Sequence, residues 1–184
     1  MKRCHWCTND PEYIRYHDTE WGVPSTDARY LFEMLILEGF QAGLSWWSVL
    51  KKRDHFRDVF LDFDVNRVAT LDDDYLEALT RDAGIIRHRG KIFAARNNAQ
   101  AWLRLDDPVD LIWSLVDGRP QVHHIDRHDD VPVTSSESVA LSRLLKKNGF
   151  VFVGPTICQA YLQAVGVLMQ HTTDCFRHTQ LQQA

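Results

Sequence analysis

In the stretch "LEGFQAGLSWWSVLKKR", Leu37 to Arg53, a single carboxylate, Glu38, stands among apolar residues. Gly39 and Gly43 flank it with open backbone, and Trp46-Trp47 follow. A buried acid without a partner is unfavourable, and the dipole at a helix end opposes its charge as well. An exposed terminal carboxylate and two core indoles would account for the pattern blandly. Together with Tyr16, Trp6 and Trp21, however, Glu38 and Trp46 would make a box for a flat, electron-poor ligand. Aromatic faces attract cations, and a carboxylate accepts hydrogen bonds from an exocyclic amine. A planar cation carrying an amine is what an alkylated adenine is. Methylation weakens that base's bond to deoxyribose, so an enzyme could concentrate on flipping the base out and stabilising the separating charges.

A second group sits at the two chain ends. "CHWC" places Cys4 and Cys7 three apart, "HTTDC" places His171 and Cys175 four apart, one helical turn, and His17 lies near the first pair. Thiolates and imidazoles in such sets suit tetrahedral zinc at a closed structural site. Cys4, Cys7, His17, His171 and Cys175 are five candidates for four positions. Free thiols and an exposed terminal histidine are the alternative for any one of them. Zinc there would tie the first residues, with Trp6 and Tyr16, to the end of the chain.

The third group is "DAGIIRHRGKIFAARNNA". Gly84 and Gly90 allow a tight turn between two helical runs, and Gly90 permits close backbone approach. Amides opening the second helix can hold a phosphate, with Arg87, Arg89 and Lys91 adding charge. A helix corner with a solvated basic face explains the same residues equally well.

The elements that must position these groups read as helical. "TDARYLFEMLILEG" has helical apolar spacing, Thr26 or Asp27 as a start and Gly39 as a stop. Ser45 caps a helix reaching about Phe60; Asp64 and Asp72 precede two further runs; "KIFAARNNAQAWLRL" ends before Asp107-Pro108. Gln121 to Val133 reads as a polar surface loop. Thr134 and Glu137 match a capping box, Gly149 ends that helix, and Pro155 starts "TICQAYLQAVGVLMQ". The fold class expected is all-α.

Composition fits one ordinary globular unit or two tightly joined lobes, 45% hydrophobic and 25% charged. No apolar run reaches membrane-spanning length. "MKRCHWCTNDPEY" lacks the apolar core of a secretory signal, so a cytoplasmic protein is expected. The net charge of -4 argues against coating nucleic acid. Acidic clumps with basic clumps at Lys51 to Arg53, Lys146-Lys147 and Arg87 to Asn97 suit an enzyme that visits DNA.

The sequence resembles the bacterial DNA-3-methyladenine glycosylase I family over nearly its whole length. The resemblance rests on "YHDTEWGVP", "LFEMLILEGFQAGLSWWSVLKKR", "DAGIIRHRGKI", "LSRLLKKNGFVFVGPTICQAYLQAVG" and "HTTDC". It implies a helix-hairpin-helix glycosylase fold spanning 1–184 as one unit of two helical lobes, with the helix-hairpin-helix at about 75–105. It implies a structural zinc held by Cys4, His17, His171 and Cys175. It implies a base pocket of catalytic Glu38 with Tyr16, Trp46, Trp6 and Trp21. The hairpin from Gly84 to Lys91 would grip double-stranded DNA through Gly84, Arg87, Arg89, Gly90 and Lys91. The loop "QAGLS" would enter the duplex, Gln41 and Leu44 plugging the gap beside Gly43. The activity implied is monofunctional hydrolysis by a monomer. Relatives in the wider superfamily use an aspartate after the hairpin, and Gly90 to Leu105 holds no acid. Four positions depart from the family pattern. Cys7 is an unexpected cysteine, Trp47 replaces an aliphatic residue, and Met169-Gln170 precede His171 where Asn-Asp is usual.

Overall fold

The computed structural model describes residues 1–182, and among them helix dominates. In chain order the helices are α1 (Pro11–Thr19), α2 (Ala28–Gln41), α3 (Trp46–Leu50) and α4 (Arg53–Val59). Next come α5 (Val65–Ala69), α6 (Asp73–Leu79), α7 (Arg89–Trp102) and α8 (Pro108–Trp113). The last three are α9 (Ser136–Lys147), α10 (Pro155–Ala164) and α11 (Phe176–Gln182). None is long and apolar enough to cross a membrane.

The start signals at Asp27, Asp64 and Asp72 act as read, each accepting first-turn amides of the helix it precedes and satisfying donors that lack intrahelical partners. Asp10, which was not singled out, does the same for α1. Pro155 opens α10, and Gly149, at φ +86°, follows the end of α9.

Four expectations are corrected. Gly39 does not stop α2, which runs two residues further to Gln41. Ten consecutive residues, Leu31 to Phe40, are buried in α2, and packing on all sides outweighs one glycine's cost. The stop comes at Ala42 and Gly43, the latter at φ +81°. The helix expected from Ser45 to Phe60 breaks at Lys51-Lys52 into α3 and α4. Arg53, 2% exposed, follows the break and enters the interior between Glu33 (Nε to Oε1, 2.7 Å) and Glu20. The capping box belongs to Ser135 and Ser138, one residue beyond Thr134 and Glu137. Finally, α10 ends at Ala164. Gly166 takes φ +77° hard against the backbone of Val23 and Pro24, where a side chain would collide. The chain then extends as β2 (Leu168–Met169), parallel to β1 (Gln121–Val122). His171 to Cys175 is accordingly a turn rather than a turn of helix.

One apolar cluster runs from Tyr13 through α2, α7 and α10 to Leu168. The buried, central α2 touches both α7 and α10. Glu33 and Glu38 therefore lie on the most deeply enclosed helix, one with two arginines and the other without.

Candidate active site

Glu38 lies in the last turn of α2, 4% exposed. Its Oε2 is buried without a hydrogen-bond partner. Burial alone pushes its carboxyl up to about 8, since desolvation disfavours the charged form. The acid opens on a cavity of about 270 Å³ whose walls include Trp6, Tyr16, Trp21 and Trp46. Tyr16 on α1 and Trp46 at the start of α3 stand 5.3 Å apart, centroid to centroid, their planes tilted by 39°. Trp6 meets Trp21 edge-on at 5.0 Å. Trp46 Nε1 is likewise buried and unpaired. Each of these five residues thus stands where the sequence reading grouped them.

Sequence reasoning missed Tyr13, His128 and Gln163, which complete the lining with Gln41 and Ala160. Tyr13 was within reach, one helical turn before Tyr16 on α1. His128 sits on a 3-10 turn inside the region read as a loop, and nothing in its spacing signals a wall. Trp47 stacks on Tyr13 at 5.4 Å and 28°, so this departure buttresses the pocket from behind.

A second cavity of about 210 Å³ shares Glu38, Gln41 and Ala160 with the first and continues past Gly43 and Leu44 to the start of α10. Leu44 is 45% exposed, and a side chain at Gly43 would meet nothing. The Gln41–Leu44 loop therefore borders the pocket mouth with an apolar tip in solvent.

Behind Trp6 and Trp21 lie Cys4, His17, His171 and Cys175, all buried, with one donor atom from each within 4.8 Å of the others. Cys175 Sγ is 3.5 Å from His17 Nε2 and from His171 Nδ1, and Cys4 Sγ is 3.4 Å from His171 Nδ1. The outer ring nitrogens are engaged. His17 Nδ1 donates to Asp18 at 2.8 Å, and His171 Nε2 to the Trp21 carbonyl at 3.1 Å. Arg3 beside Asp18 holds that carboxyl below its usual range. Such outer partners fix the tautomer that turns the other ring nitrogen toward the thiols, where His17 Nε2 also accepts the Cys4 amide at 3.2 Å. Burial pushes His171 down, toward the neutral form a ligand needs. The neighbouring Cys4 thiol pushes Cys175 down, and Cys175 pushes Cys4 up. Gly22, at φ +77°, lets the backbone pass where a Cβ would lie 2.9 Å from His171 Nε2. Two thiols and two inward imidazoles fit a tetrahedral metal ion.

Cys7 is outside this cluster, its Sγ near the Thr8 and Tyr13 carbonyls. Gln170 faces Gln159 and Gln163 instead of supporting His171.

The basic hairpin divides. Arg87 is exposed, and Arg89 is exposed but paired with Glu77 at 2.9 Å. The first amides of α7 carry Gly90, with His88 as the capping residue. Two residues depart from the phosphate role. Gly84 donates its amide to Asp82 at 2.7 Å and is small because a Cβ would strike His55, 2.1 Å away. Lys91 is 7% exposed and points inward, donating to the carbonyls of Phe40 (2.9 Å) and Ala42 (2.6 Å). Its long stem packs while its ammonium takes the orphan carbonyls at the end of α2.

Fold and pocket together define a helical protein with an aromatic cavity bordered by a buried acid. The chain belongs to the methyladenine glycosylase family, whose model matches residues 6–178. It is 51% identical over 179 residues to DNA-3-methyladenine glycosylase 1 of Escherichia coli K12, covering 95% of this chain and 96% of that protein. A crystal structure of 3-methyladenine DNA glycosylase I matches with a TM-score of 0.93 at 50% identity, over 95% of this chain and 98% of the other. A variant 3-methyladenine DNA glycosylase I crystallised with 3-methyladenine matches with a TM-score of 0.91 at 34% identity, over 96% and 97%.

Proposed function

We propose that this protein is a monomeric DNA repair glycosylase, one unit over its length, that hydrolyses the N-glycosidic bond of 3-methyladenine and leaves an abasic site. The observation that carries the reading is the unpartnered Glu38 oxygen, buried at the end of an aromatic cavity. An unpaired buried acceptor is costly, and an amine-bearing cation would complete it. Tyr16, Trp46, Trp6 and Trp21 supply faces on which a flipped base stacks. Glu38 accepts from the exocyclic amine and, ionised, stabilises positive charge as the bond to deoxyribose breaks and water adds to the sugar. The alkylated base leaves as a neutral molecule, so no protein acid is needed to protonate it. The reaction proposed is hydrolysis, with no Schiff base formed on a protein lysine. Unmodified adenine is rejected because its glycosidic bond is not activated.

DNA is held by the α6–α7 helix-hairpin-helix through Arg87, Arg89 and the first amides of α7, with Gly90 allowing close approach. Leu44 and Gln41 fill the space the base vacates. Cys4, His17, His171 and Cys175 hold a structural zinc, which supplies a cross-link between the two chain ends. Four protein donors fill a tetrahedral shell and leave no position for a catalytic water.

Chromatography of bases released from methylated duplex DNA tests the reading. The wild type releases 3-methyladenine, and Glu38→Ala loses most of that rate while keeping its metal and its melting temperature within a few degrees. Release undiminished in the variant refutes the role of Glu38; no release by the metal-loaded wild type refutes the activity. Because ionised Glu38 is required, kcat/KM should rise with pH toward about 8. A profile flat from pH 6 to 9 would contradict that requirement.

A further inference from the structure

Gln163 and Gln170 line a small space beside the aromatic cavity that Cys4 also borders, and Gln159 adjoins Gln170. Gln163 Nε2 and Gln159 Nε2 both donate to Gln170 Oε1, the latter at 3.3 Å. Gln170 and Gln159 are almost wholly buried. This arrangement leaves Gln159 Oε1 and Gln170 Nε2 buried with no partner. Gln163 itself is half-buried and lines the cavity that Glu38 closes, with Trp46 and Tyr16 on its walls. Its Oε1 has no partner among the described residues and is not one of the buried unpaired atoms.

The two ends of an amide are nearly equal in size and opposite in hydrogen-bond sense. Turning all three amides over gives Gln170 Nε2 two acceptors, the oxygens of Gln159 and Gln163. The count of unpaired buried atoms is unchanged, since Gln159 Nε2 and Gln170 Oε1 then replace the present two. Neither sense is therefore favoured by the cluster. In one, Gln163 offers the cavity an acceptor; in the other, a donor. The cavity's faces are aromatic, so an edge of a planar ligand must meet its few polar groups, of which Gln163 is one.

We infer that Gln163 reads an edge substituent of the flipped purine and that Gln170 sets which hydrogen-bond sense it shows. Resting on the functional reading above, this makes Gln163 a specificity-determining residue and Gln170 a positioning residue behind it. With glutamine at 170 the pair accommodates a 6-amino purine, which needs an acceptor, and a 6-oxo purine, which needs a donor. A carboxylate at 170 can only accept, which would fix Gln163 Nε2 inward and its oxygen toward the ligand.

The test compares single-turnover release of 3-methyladenine and 3-methylguanine from methylated duplex DNA by the wild type, Gln170→Glu and Gln163→Glu. Both variants should raise the adenine-to-guanine ratio about tenfold, the effect of one mispaired hydrogen bond. Gln163→Glu, at a half-buried position, keeps the test open should Gln170→Glu fold poorly. Metal content and melting temperature are followed alongside, because a merely structural role would move those and leave the ratio alone. A ratio within twofold of wild type in a folded variant overturns the inference. Wild-type protein releasing neither base would instead overturn the functional reading on which it rests.

Discussion

Trp6 and Trp21 separate two buried polar clusters that treat their atoms in opposite ways. On one side, the outer nitrogens of His17 and His171 have partners and the inner ones converge on Cys4 and Cys175. On the other, Glu38 Oε2 and Trp46 Nε1 have none. The contrast recurs along α2 itself: Glu33 receives Arg53 and Arg57, whereas Glu38, five residues on, receives no cation among the described residues. Other buried polar atoms also lack partners, among them Gln159 Oε1 and Gln170 Nε2, but Glu38 is the acid among them and it borders a cavity. The saturated cluster is suited to permanent occupancy and the open one to a ligand that comes and goes.

The sharpest way to break the contrast is to open the saturated side. Removing metal with a chelator, or replacing Cys175 by Ala, should cost several kcal/mol, given apparent zinc-site energies of roughly 10–16 kcal/mol in small peptides. A melting temperature falling by more than about 10 °C, in step with metal content, would bear this out. A chelated protein with an unchanged melt would not.

Closing the open side should stabilise. Glu38 has its carboxyl raised from 4.5 to about 8, so the folded state holds a proton that the unfolded state has released. The resulting penalty is absent below about pH 4.5, grows as pH rises, and is complete above about 8. Glu38→Gln should therefore gain nothing in acid and up to about 5 kcal/mol at pH 9, even as it loses activity. Denaturant melts at both pH values would read the difference; equal gains at the two would show that desolvation of Glu38 is not the cause.

Lys91→Met keeps the stem and removes the ammonium, leaving the Phe40 and Ala42 carbonyls without their cap. The expected loss is about 1–3 kcal/mol, with weaker excision because the Gln41–Leu44 loop is no longer pinned. Arg87→Ala should have the smallest effect. Its stability should stay within about 0.5 kcal/mol, while the slope of DNA affinity against salt should fall by about 1.

The grouping of Glu38 with Tyr16 and Trp46, and of Cys4 with Cys175, was legible because residue type carries most of that signal. An acid among apolar residues and thiols near imidazoles are unusual wherever the chain takes them. Helix starts were legible for the same reason, since an aspartate cap acts within three residues. Lys91 and Gly84 misled because their types fit a phosphate grip, and only tertiary neighbours 49 residues from Lys91 and 29 from Gly84 reveal another use. The end of α2 and the break at Lys51-Lys52 were lost likewise: burial held Gly39 in helix, and a buried ion pair drew Arg53 inward. Gln163 and His128 have no local pattern, being brought to the pocket by the fold alone.

Lys91 has a mechanical consequence. It bolts the first turn of α7 to the end of α2, so the element proposed to grip a phosphate and the acid proposed to meet the base belong to one stiff bracket. On a duplex such a bracket would work as a caliper with fixed jaws. It would inspect the one nucleotide lying at its set offset from the gripped phosphate. A lesion one step away would be reached by moving the whole molecule along the groove, and not by stretching toward it.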